Sequence, residues 1–270
     1  MNLKFTTRQL LTSAMTIAAT SLTLLASSSS AKAADAAAAT ATNAPPKPHW
    51  ESIASADLTM TRGNSHTFLG AVTINSTRKS AKDEILLGGS AGYGDTTTKQ
   101  ADGSEEKTET ANFLKGYAQW NHLFTEKLYG GLRFDALRDN VADIHYRFTV
   151  GPLAGYYFIK QTNVFLCGEI GPSYVNQDLG GVTSDYIALR LAERFEYKFK
   201  TGAKIWETLE WLPQVDKFDN WIMNAEVGIS APVSKALDVR LVAQDTYNNQ
   251  PAAGRQKNDF KLLAGIGVRF

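Results

Sequence analysis

Phe260-Lys-Leu-Leu-Ala-Gly-Ile-Gly-Val-Arg-Phe270 ends the chain, and every second residue of it is apolar: Phe260, Leu262, Ala264, Ile266, Val268, Phe270. Between them stand Lys261, Leu263, Gly265, Gly267 and Arg269. A period of two marks a strand with one oily face and one small or charged face. No polar tail follows the terminal aromatic.

The same alternation recurs upstream. Leu58 and Met60 share a phase with Trp50, and the turn Arg62-Gly63-Asn64-Ser65 follows as a tight hairpin signal. Phe68, Val72 and Ile74 form the next apolar face, then Ile85, Leu87, Ala91 and Tyr93. Further faces are Leu114 to Trp120, Leu128 to Ala136, Tyr146 to Tyr156, Val164 to Tyr174 and Ile187 to Tyr197. Residues 203–212 sort poorly, because Lys204, Trp206, Glu207, Glu210 and Trp211 break the alternation. Trp221 to Ile229 and Leu237 to Ala243 complete the set. Two irregularities are expected: a bulge at Pro152, which lacks a ladder donor, and a bulge or rim position at Glu193, which falls on an apolar phase.

Twelve strands, with long polar connections three, seven, nine and eleven alternating with short ones, predict an all-β up-and-down antiparallel transmembrane barrel. Its oily face meets lipid, and aromatics such as Trp50, Tyr93, Trp120, Tyr156, Trp221 and Phe270 sit at strand ends as two interfacial girdles. A soluble β-sandwich alternates in the same way but needs neither the terminal Phe nor the long–short loop rhythm.

Lys4 and Arg8, an apolar run from Leu10 to Ala26 and the small-residue site Ala31-Lys32-Ala33 predict a secretory signal peptide over 1–33, cleaved near Ala33. Residues 34–49 are Ala/Thr-rich with Pro45, Pro46 and Pro48 and predict a flexible lead-in, leaving 50–270 as the barrel. Removing 1–33 takes three basic residues and no acid, leaving 25 basic against 27 acidic residues and a net charge of −2. No basic patch calls for nucleic acid. Cys167 stands alone, so no internal disulfide forms.

Residues 50–270 resemble the salt-induced outer-membrane protein family, also known as domain of unknown function 481. The resemblance rests on Trp50, on Ala56-Asp-Leu-Thr-Met-Thr-Arg-Gly63-Asn64-Ser65, on Tyr129-Gly130 and on Gly151-Pro-Leu-Ala-Gly155-Tyr156. The final strand resembles the C-terminal signature of bacterial outer-membrane barrels, which implies recognition by the barrel-assembly machinery through Phe270. The family implies an outer-membrane barrel of a Gram-negative-type bacterium, associated by name with salt stress, and carries over no catalytic residue.

The inward phase is rich in charge. Lys115, Arg133, Arg147, Arg190, Arg194, Arg240, Lys261 and Arg269 face Glu51, Asp57, Asp135, Glu169, Glu196, Glu226 and Asp238. One reading is a lumen cross-linked by arginine–carboxylate pairs. Another is a channel whose Arg133, Arg147, Arg190 and Arg194 favour small anions or acidic sugars, interrupted by Asp135, Glu169 and Glu196. With four scattered histidines and one cysteine, neither metal-ligand spacing nor a cofactor motif is present. His145 alone could serve as a general base for an outer-membrane lipid hydrolase, with no partner assignable. The leading expectation is a non-enzymatic narrow passive channel or solute-binding barrel in outer-membrane lipid. The alternative is a sealed barrel working through connections three, seven and eleven.

Overall fold

The computed structural model describes residues 49–61, 65–100, 102 and 104–270. The expectations for the signal peptide (1–33), nearly all of the lead-in (34–48) and the turn at 62–64 lie outside the described residues. Twelve strands follow in order: β1 Trp50–Thr61, β2 Ser65–Lys79, β3 Asp83–Lys99, β4 Glu105–Leu123, β5 Leu128–Asp139 and β6 Ile144–Lys160, then β7 Val164–Leu179, β8 Val182–Lys198, β9 Lys204–Gln214, β10 Lys217–Pro232, β11 Leu237–Asn248 and β12 Asn258–Arg269. Each pairs antiparallel with its chain neighbours, and β12 pairs with β1, so the sheet closes into a barrel. The quoted terminal stretch makes that closure. Ala54, Ala56 and Leu58 lie opposite Val268, Ile266 and Ala264, and the Phe270 amide donates to the Ser52 carbonyl at 3.0 Å. Closure matters because an edge strand would leave its amides and carbonyls unpaired in hydrocarbon.

The two phases separate as the alternation predicts. Leu58, Val72, Ile74, Leu87, Leu114, Leu132, Phe134, Val227, Leu241 and Leu262 are all exposed. In water such a surface would be far larger than a soluble protein tolerates; against lipid it is the solvated face. On the opposite phase Ser55, Asp57, Glu84, Gln119, Arg147, Arg190 and Asp238 are buried inside the barrel. The fold is a transmembrane β-barrel. At a strand spacing of about 4.8 Å and a tilt of about 40°, twelve strands give a backbone diameter of about 24 Å.

The connections differ from expectation. The polar stretch 95–109 is a hairpin in which β3 and β4 stay paired from Lys99 opposite Glu105 down into the barrel wall. Connection seven is reduced to Gly180-Gly181, both with positive φ (61° and 78°). Connection nine is reduced to Val215-Asp216. Among the described residues, connection eleven (249–257) is the one long loop. Above the bilayer both faces of a strand meet water, so polar residues on both phases continue the ladder there. The eye for alternation reads them as loop.

Both expected irregularities resolve differently. At Pro152 the β6–β7 register does not shift: Val150 faces Tyr174 and Ala154 faces Ile170. Pro152 of Gly151-Pro152 lies opposite Pro172 of Gly171-Pro172, so two residues without an N–H meet and neither orphans a donor on the other strand. A Cβ on Gly151 would lie 2.1 Å from the Pro172 carbonyl, so the close approach requires glycine there. The bulges occur instead between Ile144 and Tyr146 and between Tyr157 and Ile159. The β7–β8 register runs unbroken from Val164 opposite Tyr197 to Leu179 opposite Val182. Glu193 therefore stands on the lipid phase without a bulge, between Leu191 and Phe195 and about 10 Å along the barrel axis from Tyr197. Strand nine explains its own ambiguity. Trp206 points inward and Glu207 outward, opposite Val227 and Phe195.

Because a carboxylate facing hydrocarbon is costly, Glu193→Leu and Glu207→Leu should each stabilise the barrel by about 1 kcal/mol. The urea midpoint of protein refolded in lipid vesicles measures this. No gain would place that face out of contact with lipid.

Candidate functional site

The lumen is built by the inward phase, and its centre is a continuous polar network. Arg190 on β8 donates from Nη1 to Glu169 on β7 (2.8 Å) and from Nε to Glu210 on β9 (2.6 Å). Glu169 also accepts from Gln119 on β4 (2.7 Å) and from the Tyr129 hydroxyl on β5 (2.9 Å). Asn224 on β10 donates to Glu210 at 3.2 Å. Arg133 grips Asp135 two residues along β5, with Nη2 and Nε donating at 2.7 and 2.9 Å. Its Nη1 donates to Gln119 at 2.9 Å and its guanidinium lies 4.6 Å from the Tyr117 ring centre. The Arg190 side chain is only 7% exposed. Two carboxylates and one guanidinium in such surroundings hold one another in place.

A second group lies further along β8. Arg194 donates to Glu196 at 2.5 Å, and Lys204 stands 3.5 Å from the same carboxylate. At the seam, Arg240 on β11 reaches over β12 to Asp57 on β1 (3.3 Å), and its Nη1 donates to the Ser55 hydroxyl at 2.9 Å. That reach crosses Gly265, where a Cβ would lie 2.4 Å from the Asp57 carboxylate, so no larger residue fits under the pair. Arg269 donates to Asp238 at 2.5 Å.

Of the expected lumen residues, Arg133, Asp135, Glu169 and Arg190 share the central network, and Arg194 and Glu196 pair with each other. Arg147 stands apart. Its Nε donates to Gln177 at 2.7 Å, and its Nη2 has no partner. Glu210 was not assigned from the sequence, because it sits in the strand whose alternation Trp206 and Glu207 invert. His145 does not face the lumen. The bulge beside it turns its ring to the rim, 3.2 Å from Asp178 and 3.6 Å from Asp143. Cys167 is buried with Tyr129, Leu153 and Tyr157.

The lumen is partly filled by side chains. Phe113 on β4 joins Ala71, Ala111, Val242 and Leu263 in an apolar cluster contributed by β2, β4, β11 and β12. The Lys261 ammonium of β12 lies 4.6 Å from the Phe113 ring centre, although three strands separate β12 from β4. This cluster narrows the bore. Between such contacts the wall is open: the Arg194 side chain is 41% exposed, and Lys204, at the rim where β9 begins, is equally so. Over the mouth opposite the two chain termini, connections five, seven and eleven meet. Ala252 is buried near Gly180, the Gly180 amide donates to the Asp143 carbonyl at 2.8 Å, and Arg255 stands 4.0 Å from the Asp143 carboxylate.

The family described as "Protein of unknown function, DUF481" matches residues 54–270. The chain belongs to that family. No curated protein matches it. Among solved structures, a NanC porin is 7% identical, with a TM-score of 0.50 over 81% of this chain and 100% of that one. The COG4313 outer membrane channel from Pseudomonas putida F1 is 12% identical, with a TM-score of 0.49 over 84% of this chain and 97% of that one. A KdgM porin is 10% identical, with a TM-score of 0.43 over 81% and 99%. Likeness at these identities speaks to the fold, an outer-membrane type of barrel.

Arg190→Ala leaves Glu169 and Glu210 without their shared cation and should destabilise the barrel by about 3 kcal/mol. Urea unfolding in lipid vesicles measures it. Arg190→Met combined with Glu169→Gln and Glu210→Gln, which removes the charges together, should cost distinctly less.

Proposed function

We propose that this DUF481 barrel is a non-enzymatic, narrow passive pathway for small polar solutes across the outer membrane. The observation that carries the reading is the exposure of charged side chains inside the wall. Arg194, four residues in from the end of β8, and Lys115, midway along β4, lie on the inward phase of twelve closed strands and are still exposed. A lumen that served only as a core would have buried them. The paired charges leave few free ones, so selection rests on bore width and on the exposed cations, and the expected preference is for anions. Arg133, Arg147, Arg190 and Arg194 would line this path, with Asp135, Glu169 and Glu196 neutralising most of their charge.

The same proposal includes the route to the membrane. The 1–33 segment would direct export and be cleaved near Ala33, and the assembly machinery would read the β12 strand ending at Phe270. The salt association implied by the family resemblance belongs here as well: a passive pathway would matter most when osmolarity changes.

A sealed barrel with a surface role is the second reading, and the contacts of Ala252 with Gly180 and of Arg255 with Asp143 favour it, because they bring three connections together over the mouth. One experiment separates the two. The refolded mature protein in planar bilayers should give a defined unit conductance with anion preference, reduced by Arg194→Ala. Replacing 250–256 with a two-residue Gly-Gly link should raise that conductance at least twofold. A silent wild type that conducts only after this replacement would identify a barrel sealed by its cap. Silence of both would sink the pathway.

A further inference from the structure

The arginines of the central network are neutralised, which makes the cations without carboxylates stand out. Lys115 on β4 and Lys261 on β12 have no carboxylate within 4 Å among the described residues, and both ammoniums approach one ring. They lie 5.8 and 4.6 Å from the centre of Phe113. Arg147 likewise has no carboxylate partner among the described residues, and its Nη2 is unpartnered. Register links these groups. Lys115 lies opposite Leu137 of β5, and Leu137 lies opposite Arg147 of β6. On the other side Lys115 lies opposite Ser90 of β3. Ser90 faces inward, is more than nine-tenths buried, and its hydroxyl has no hydrogen-bond partner.

The neighbouring acids are engaged elsewhere or out of reach. Asp139, opposite Phe113, accepts from the Val141 and Ala142 amides at 3.0 Å each. Glu226 accepts from Trp206 and Gln244 at 2.7 Å each. Asp259 shares the inward phase of β12 with Lys261 but lies more than 4 Å from its ammonium. A buried hydroxyl left unpaired costs free energy, and two ammoniums gathered at one ring with no directly paired carboxylate repel one another. Both penalties vanish when an oxyanion sits among them.

We propose that Lys115, Lys261 and Ser90 form an oxyanion-binding site in the lumen for a small carboxylate or phosphate solute, with Arg147 two strands further along the same row, beyond Leu137. The two ammoniums donate to its oxygens, the Ser90 hydroxyl donates one further hydrogen bond, Phe113 packs against its carbon skeleton or excludes water beside it, and the Arg147 guanidinium adds positive charge from beyond Leu137. The site deepens the proposed function, on whose solute pathway it rests.

Isothermal titration calorimetry of the refolded mature protein with sodium gluconate and with inorganic phosphate tests it. One site per barrel is expected. Lys115→Gln combined with Lys261→Gln should weaken it at least tenfold, and Ser90→Ala should weaken it severalfold. Binding of gluconate alone assigns a carboxylate solute, phosphate alone a phosphate solute, and both a general oxyanion site. Heat-modifiable migration on gels checks that each variant folds. Should the double variant not fold, Lys115→Arg, which keeps the charge, must bind and Lys115→Gln must bind more weakly. No binding by the wild type, or undiminished binding by folded glutamine variants, overturns the site. Conductance reports separately: a barrel that conducts but binds neither anion loses the site and keeps the pathway. One that binds without conducting keeps the site and loses the pathway.

Discussion

Everything in this barrel depends on the pairing of β1 with β12. Hydrocarbon offers no partner for a backbone amide, so a sheet in a membrane has to close on itself. Ala54, Ala56 and Leu58 against Val268, Ile266 and Ala264 make that closure, and the Phe270 amide finishes it on Ser52. Once the sheet is closed, each residue has only two destinations, lipid or lumen. That binary choice converts a period of two in sequence into two chemical environments about one side chain apart.

The lumen uses its phase in an uneven way. Its centre is tied by Arg190 to two carboxylates and by Glu169 to residues of three other strands, which braces the wall against collapse. Such a network contributes little net charge to the bore. Lys115, Lys261 and Arg147 lie outside it, with no carboxylate within 4 Å among the described residues. A wall of four arginines reads from sequence as strongly cationic, whereas in space three of those arginines are spoken for.

The strand count, the lipid phase and the inward placement of every expected lumen residue were legible in the sequence, because each depends on local alternation. What was not legible depended on neighbours. Pro152 asks for a bulge until Pro172 is seen opposite it. Glu210 could not be sorted until Trp206 was seen lying inward over Gly228. The turn lengths were misjudged because Thr- and Glu-rich strand ends above the bilayer lose the alternation while keeping their hydrogen bonds. The freedom of Lys115 is visible only after the partners of Asp139 and Glu226, on two other strands, have been found.

The central claim is that the odd–even phases of each strand meet water on one side and lipid on the other. Single cysteines in a Cys167→Ala background test it most directly, with protein refolded into vesicles and exposed to a charged, membrane-impermeant thiol reagent. Lys115→Cys should be modified promptly and Leu132→Cys should resist, while a lipid-borne quencher should reach a probe at 132 and not at 115. Modification at 132 with protection at 115 would contradict the account, since it would turn the barrel inside out.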